Sequence, residues 1–365
     1  MIKKASANLK GKEMDKNDKI YIAGHKGLVG SAIFRKLTEE GFTNIITRNS
    51  DELDLCNQTQ TEEFFEIEKP DFVFLAAAKV GGIIANSTYP ADFIYKNLMI
   101  ATNVIHSSYK FGVKKLLNMG SSCIYPKHAP QPMKESCLLT SELEGTNEAY
   151  AIAKIAAIKL CRYYNEQYGT DFISAMPTNQ YGEGDNFNME TAHLLPMLLR
   201  RFHLANLLKA GEFEKIKTDL KKYKLGWSLD ETIDFNDNNS IIKALEQIGA
   251  YPDRVNVWGD GSPYRELMHS NDLADACVYL MQNKSYNEIG ELVNITDGSD
   301  IQLKNLIEMV KGIVGFDGEI FYDTTKPNGT PRKLMDASKI KTLGWEPKIK
   351  LEDGIKKAYK WYLEN

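Results

Sequence analysis

Lys19-Ile-Tyr-Ile-Ala-Gly24-His25-Lys26-Gly27-Leu28-Val29-Gly30 decides the fold. A short β-rich run meets three glycines spaced three apart, and a helical pattern follows through Phe34, Leu37 and Gly41. Glycines at such points permit a tight turn, close approach of backbone to a pyrophosphate, and close helix packing. The helix N-terminus then offers unpaired N–H groups to the anion. The strand–turn–helix context predicts a dinucleotide site formed by Gly24, His25, Lys26, Gly27, Leu28, Val29 and Gly30.

Downstream, strands alternate with helices. Strand-like runs lie at residues 43–47, 71–78, 115–120 and 171–176, and helical patterns near 59–68, 91–111 and 150–168. The run Asp71-Phe-Val-Phe-Leu-Ala-Ala-Ala78 is nearly continuous in apolar residues, as in a parallel strand buried on both faces. The pattern predicts an α/β fold, a Rossmann-type doubly wound parallel sheet with a smaller mixed C-terminal substrate lobe. Its expected parts are an N-terminal arm (1–18), a nucleotide-binding domain (19–180) whose sheet later segments help complete, and a mainly substrate-binding lobe (181–365). Residues 204–253 are rich in Lys, Asp, Glu and Asn with weak helical signals. They read as a charged insertion of roughly 40 residues beside the sugar pocket, far longer than an ordinary loop.

Composition narrows the class. The chain has 365 residues, 43 % hydrophobic and 26 % charged, with net charge −4, which excludes collagen, disordered tails and small disulfide scaffolds. No broad basic field points to nucleic acid. No apolar run reaches the ~18 residues of a membrane span, and the Lys-rich start lacks a signal-peptide core. The five cysteines, Cys56, Cys123, Cys137, Cys161 and Cys277, show no C-x-x-C spacing. They suit reduced thiols in the cytoplasm and predict no metal site.

The strand Ile45-Ile-Thr47 ends in Arg48, while Asp51 and Glu52 come later. A cation there suits a ribose 2′-phosphate, so Arg48, helped by Lys26, predicts NADP(H). Asp54 and Leu55 are placed at the adenine edge, and Ala76, Ala77 and Lys79 on the other side of the cofactor. Tyr150-Ala-Ile-Ala-Lys154 puts a phenol and an ammonium on one helix face. The ammonium is expected to lower the phenol pKa and to hold the nicotinamide ribose, leaving Tyr150 to exchange a proton with a carbonyl or alcohol oxygen. Gly120-Ser-Ser122 supplies hydroxyls at a strand end to orient that carbonyl. A second Y-x-x-x-K, Tyr322 to Lys326, lacks helical context.

With these motifs the chain resembles the extended short-chain dehydrogenase/reductases, and within them the GDP-4-keto-6-deoxy-mannose 3,5-epimerase/4-reductases. The likeness rests also on Ala76-Ala-Ala-Lys-Val-Gly-Gly82, Tyr89-Pro-Ala-Asp-Phe-Ile94, Gly120-Ser-Ser-Cys-Ile-Tyr-Pro126, Met176-Pro-Thr-Asn179, Arg200-Arg-Phe-His203 and Gly329-Thr-Pro-Arg-Lys333. The resemblance implies Ser121, Tyr150 and Lys154 as reductase residues, with Cys123 and His193 as the acid–base pair for inversion at C3 and C5. It adds Met119, Gly120, Pro177, Asn179 and His193 to the cofactor side, and Asn179, Arg201, Trp258, Arg265, Asn328 and Lys333 to the substrate side. It further implies conversion of GDP-4-keto-6-deoxy-D-mannose to GDP-L-fucose by a cytoplasmic homodimer joined through the helices at 91–111 and 150–168. Asn328 stands where the family often has Asp. Two alternatives stay open: a C4 reductase of a GDP-4-keto-heptose in surface polysaccharide synthesis, and a dinucleotide-binding regulator without catalysis.

Overall fold

The computed structural model describes residues 14–326 and 328–365, without the side chains of residues 83–85. The first half runs β1 (Ile20–Ala23), α1 (Leu28–Glu39), β2 (Ile45–Ile46), α2 (Gln58–Glu68), β3 (Phe72–Leu75), α3 (Ile83–Thr88), α4 (Pro90–Lys110), β4 (Lys115–Met119), α5 (Glu148–Tyr168) and β5 (Phe172–Pro177). There follow β6 (Asn179–Tyr181), α6 (Leu194–Ala210), α7 (Phe213–Lys222), α8 (Asn238–Gln247), β7 (Arg254–Trp258), β8 (Tyr264–Arg265) and β9 (Leu267–His269). The chain ends with α9 (Ser270–Asn283), α10 (Tyr286–Ile289), β10 (Val293–Ile295), β11 (Ile301–Gln302), α11 (Leu303–Val314), β12 (Glu319–Asp323), α12 (Ser338–Thr342) and α13 (Leu351–Glu364).

Six parallel strands form the main sheet in the order β2-β1-β3-β4-β5-β10. Every residue of β1, β3, β4 and β5 is buried, which is why these strands are apolar without alternation. Ile20, Ile22, Phe72 and Phe74 face a core shared with α1 and α9. Tyr21, Val73 and Leu75 face the opposite core, shared with α2, α4 and α5. The chain leaves β1 for β2 on one side and returns to β3 on the other. A crevice therefore opens beyond the carboxyl ends of β1 and β3, where open α/β sheets bind ligands.

A second core joins α6, α7, α8, α11 and α13 to β7 and β12. The segment expected as a charged insertion takes part in it. Its α7 and α8 bury Ile216, Leu220, Ile241, Ala244 and Leu245 in that core. The helical signal read as weak because each short helix needs only one apolar stripe, and charged residues cover the remaining faces.

The arm expected over residues 1–18 lies outside the described residues as far as Glu13. From Met14 onward the expectation fails. Met14 is 8 % exposed and packs in the α1/α9 core, Lys16 Nζ lies 3.7 Å from the Phe42 ring centroid, and Asp18 pairs with Lys114 at 2.7 Å. The strand expected at 71–78 stops at Leu75, because the next residues form the loop against which Gly24 packs. Among the described residues no helix is long and apolar enough to cross a membrane.

Candidate active site

The glycine loop meets three separate demands. Gly24 has φ +84°, and a Cβ there would lie 2.7 Å from both Cα and N of Ala77. A Cβ on Gly30 would lie 2.1 Å from the Gly24 carbonyl oxygen, so close helix–turn packing requires this glycine too. Gly27 is different: the nearest atom to its Cβ position is 3.5 Å away. It flanks the start of α1 where no side chain caps the helix, so the first-turn N–H groups are free to face an anion. The cradle fits a dinucleotide pyrophosphate. His25 is half-buried and held below its ordinary pKa by burial and by Lys26, while Lys26 is exposed.

Arg48 stands beyond β2 as expected, but its guanidinium is engaged. It donates to Glu68 at 2.6 Å and to the Thr47 carbonyl at 2.8 Å. The Asp54 carboxylate accepts the Cys56 N–H, and the Leu55 carbonyl accepts from Asn103. Ala76 and Ala77 lie against the glycine loop. The Lys79 ammonium donates to Asp92 at 2.8 Å, and its N–H to Asn97 at 2.9 Å.

β4 delivers Met119 and Gly120 to the crevice. A Cβ on Gly120 would meet the tip of the Met176 side chain, its sulfur at 2.2 Å, so any side chain there has to displace it. Ser121 caps a single 3-10 turn over Ser122–Ile124, its Oγ accepting the Cys123 N–H at 3.4 Å. Cys123 thus projects two residues beyond the hydroxyl. From α5, Lys154 donates to the Met119 carbonyl at 2.7 Å, and its Nζ lies 5.7 Å from the Tyr150 ring centroid. Phe93 contacts that ring edge-on.

Burial pushes Lys154 down to about 8, against the opposing pull of Cys123. Burial, and next the Cys123 sulfur, push Tyr150 up. The expected lowering of the Tyr150 pKa is not seen, because burial raises it instead. Tyr150 stays protonated, the form needed to donate to a developing alkoxide. Cys123 is also pushed up by burial, opposed by Lys333, a Ser121 hydrogen bond and Lys154. His193 flanks the start of α6 with an exposed side chain, and desolvation holds its pKa below the ordinary value.

On the lobe side, burial lowers Lys333, with Cys123 and Arg265 within electrostatic reach. Arg265 donates to the Tyr264 and Thr330 carbonyls at 2.6 and 2.7 Å. Arg201 is 6 % exposed, donates to the Asn256 carbonyl at 2.9 Å, leaves Nε unpartnered and is pushed down to about 10 by burial. Trp258 is 56 % exposed with Lys326 over its ring. Asn179, just past Pro177, donates to the Glu266 carbonyl at 3.1 Å. Asn328 is occupied locally, its Oδ1 accepting the Asp260 N–H at 3.0 Å. The sequence reading passed over Glu266, which is 0 % exposed and accepts the Met335 N–H at 3.0 Å. Its neighbour Arg265 was the available signal.

Fold and site together define a dinucleotide-dependent enzyme of sugar-nucleotide type. The chain belongs to the NAD dependent epimerase/dehydratase family, whose model matches residues 20–222 and 231–296. It is 54 % identical to "Putative GDP-L-fucose synthase 2" of Arabidopsis thaliana, over 96 % of this chain and 94 % of that protein. It is 44 % identical to the GDP-L-fucose synthase of Escherichia coli K12, over 95 % of this chain and 97 % of that protein. A solved Campylobacter jejuni GDP-D-glycero-L-gluco-heptose synthase, determined in the presence of NADPH, matches with TM-score 0.88 and 42 % identity, over 96 % of this chain and 99 % of that chain.

Proposed function

We propose that the protein catalyses NADPH-dependent 3,5-epimerisation and C4-keto reduction of GDP-4-keto-6-deoxy-D-mannose, giving GDP-L-fucose. One observation carries the reading. A thiol, Cys123, shares a cleft with the Tyr150–Lys154 pair, in a chain 44–54 % identical to relatives named GDP-L-fucose synthase.

In this proposal each residue has one task. C3 and C5 flank the C4 ketone, so their protons are acidic through the enolate. Cys123 and His193 work from opposite faces, one removing a proton and the other returning one, which inverts each centre. Bound NADPH supplies the hydride for C4. Tyr150 gives its phenolic proton to the C4 oxygen, Ser121 holds that oxygen, and Lys154 orients the ribose. Arg201, Arg265 and Lys333 face the diphosphate, with Trp258 and Asn179 on the sugar or base. Arg48 beyond β2, exchanging its Glu68 partner for a ribose 2′-phosphate, and Lys26 in the glycine loop support NADP(H) over NAD(H). Cytoplasmic location and a homodimer through α4 and α5 belong to the same proposal. Exposed Tyr95 and Tyr163 on those helices support the latter.

A second reading, C4 reduction of a GDP-4-keto-heptose, is favoured by the likeness to the heptose synthase. Incubation with each 4-keto substrate in deuterated water, with and without NADPH, separates the two. Deuterium at C3 and C5 of the hexose without NADPH, followed by reduction with it, is expected. Reduction of the heptose without deuterium uptake from either substrate would establish the second reading instead.

A further inference from the structure

The loop over residues 223–230 is almost coincident with the gap in the family match, which resumes at residue 231. It has an unusual backbone. Gly226, Trp227 and Ser228 have φ of +84°, +48° and +58° in succession. For a bulky residue such as tryptophan this is a rare conformation that costs of order 1–3 kcal/mol and persists only where surrounding contacts impose it. Here Asp230 accepts the N–H groups of Leu225 and Gly226, both at 2.9 Å.

Three ties join this loop to the segment that leads into His193. The Trp227 N–H donates to the Glu190 carboxylate at 2.8 Å. The Met189 N–H donates to the Lys224 carbonyl at 3.3 Å. Arg200, 0 % exposed, donates to the Phe187 carbonyl at 2.9 Å and to the Lys224 and Tyr223 carbonyls at 2.7 Å, while Asp219 neutralises it at 2.8 Å. The far side of the segment faces the loop after β3. The carbonyls of Thr191 and Ala192 lie 4.0 and 3.9 Å from the Cβ position of Gly82, in the loop after β3. No hydrogen bond to the His193 ring is made in the described structure, and its side chain does not cap α6. Its placement therefore depends on the backbone that carries it.

We propose that residues 223–230 form a buttress that positions His193, with Glu190 and Arg200 as the positioning residues. The inference rests on the proposed epimerase function. Its consequence is selective: proton exchange at C3 and C5, which uses His193, depends on the buttress, while hydride transfer, which uses Tyr150, does not.

Arg200→Ala removes a buried charge partner and can unfold the lobe, so Glu190→Ala is the working variant, with Glu190→Gln as the conservative control that keeps an acceptor. Two readouts are needed. Deuterium uptake at C3 and C5 is measured without NADPH. Hydride transfer is measured on ketone already equilibrated by the unaltered protein. Glu190→Ala is expected to slow uptake roughly tenfold, less than the ~10²-fold that a 1 Å misplacement can cost, with hydride transfer within twofold. Glu190→Gln should restore much of the loss. Trp227→Gly keeps the N–H and relieves the strain, so it should leave uptake unchanged. Equal slowing of both reactions, or no slowing of either, would overturn the inference.

Amide hydrogen exchange across residues 186–193 reads the buttress without any substrate, and should rise in Glu190→Ala. Unchanged amide exchange overturns the buttress. Absence of deuterium uptake by the unaltered protein overturns instead the epimerase reading, whatever the amides do.

Discussion

Tyr150 and Cys123 occupy one cleft, yet the proposed chemistry assigns them different bonds. Tyr150→Phe removes the proton donor for the C4 oxygen and should lower reduction by about 10²- to 10⁴-fold. Deuterium uptake at C3 and C5 should survive it. Cys123→Ser should do the reverse, abolishing uptake while ketone already inverted is still reduced. Stopped-flow NADPH oxidation and mass spectrometry of the recovered sugar nucleotide check the pair. At this scale the residue types were legible and their electrostatics were not. Four-residue spacing placed Tyr150 and Lys154 on one helix face. Only the fold brought the Met119 carbonyl within 2.7 Å of Lys154, and only the fold buried Tyr150 so that its pKa rises. Likewise Arg48 was visible at its strand end, but its partner Glu68 is 20 residues away at the end of α2.

Elements impose requirements that no single residue reveals. Gly24→Ala combines a left-handed φ of +84° with a Cβ 2.7 Å from the Ala77 backbone. Neither side can yield cheaply, so cofactor affinity should fall at least tenfold in a fluorescence titration with NADPH. Lys115 makes a different demand. It is buried in β4 and donates to the Leu280 and Met281 carbonyls at 2.8 and 2.9 Å, and to that of Lys284, at the end of α9. Burial pushes it down to about 8. Lys115→Met would strand those carbonyls and should destabilise the fold by roughly 2–4 kcal/mol in urea denaturation. In the sequence Lys115 reads as the charged start of a strand. The helix end it caps lies 165 residues or more downstream.

Across the whole molecule, Glu266 links the two parts. Its carboxylate accepts the Met335 and Gly298 N–H groups, and its carbonyl accepts from Asn179. Burial pushes its pKa up to about 8, against about 4.3 in an unfolded chain. The folded state therefore holds a proton that the unfolded state releases. This contribution to stability is complete below about pH 4, and it is lost as pH rises through about 8. Glu266→Gln leaves one N–H without an acceptor and should cost about 1–3 kcal/mol at pH 5. The part of the stability loss between pH 5 and 8 that Glu266 causes should disappear in the variant, as thermal unfolding at the two pH values can test.

The alternation of buried strands with helices, the glycine loop and the Tyr150–Lys154 spacing were written locally, in continuous apolar runs and in spacings of three and four residues. Local pattern was enough to determine the doubly wound sheet and where its crevice opens. Residues 204–253 defeated the same approach. Their short helices carry one narrow apolar stripe each, and whether such a stripe is core depends on the lobe that receives it. Tertiary structure alone decided that this stretch joins the lobe's core, that Met14 belongs to the folded body, and that residues 223–230 hydrogen-bond to the segment leading to His193. Each rests on partners distant in the chain, and burial and hydrogen bonding between distant residues leave no fixed spacing in a sequence.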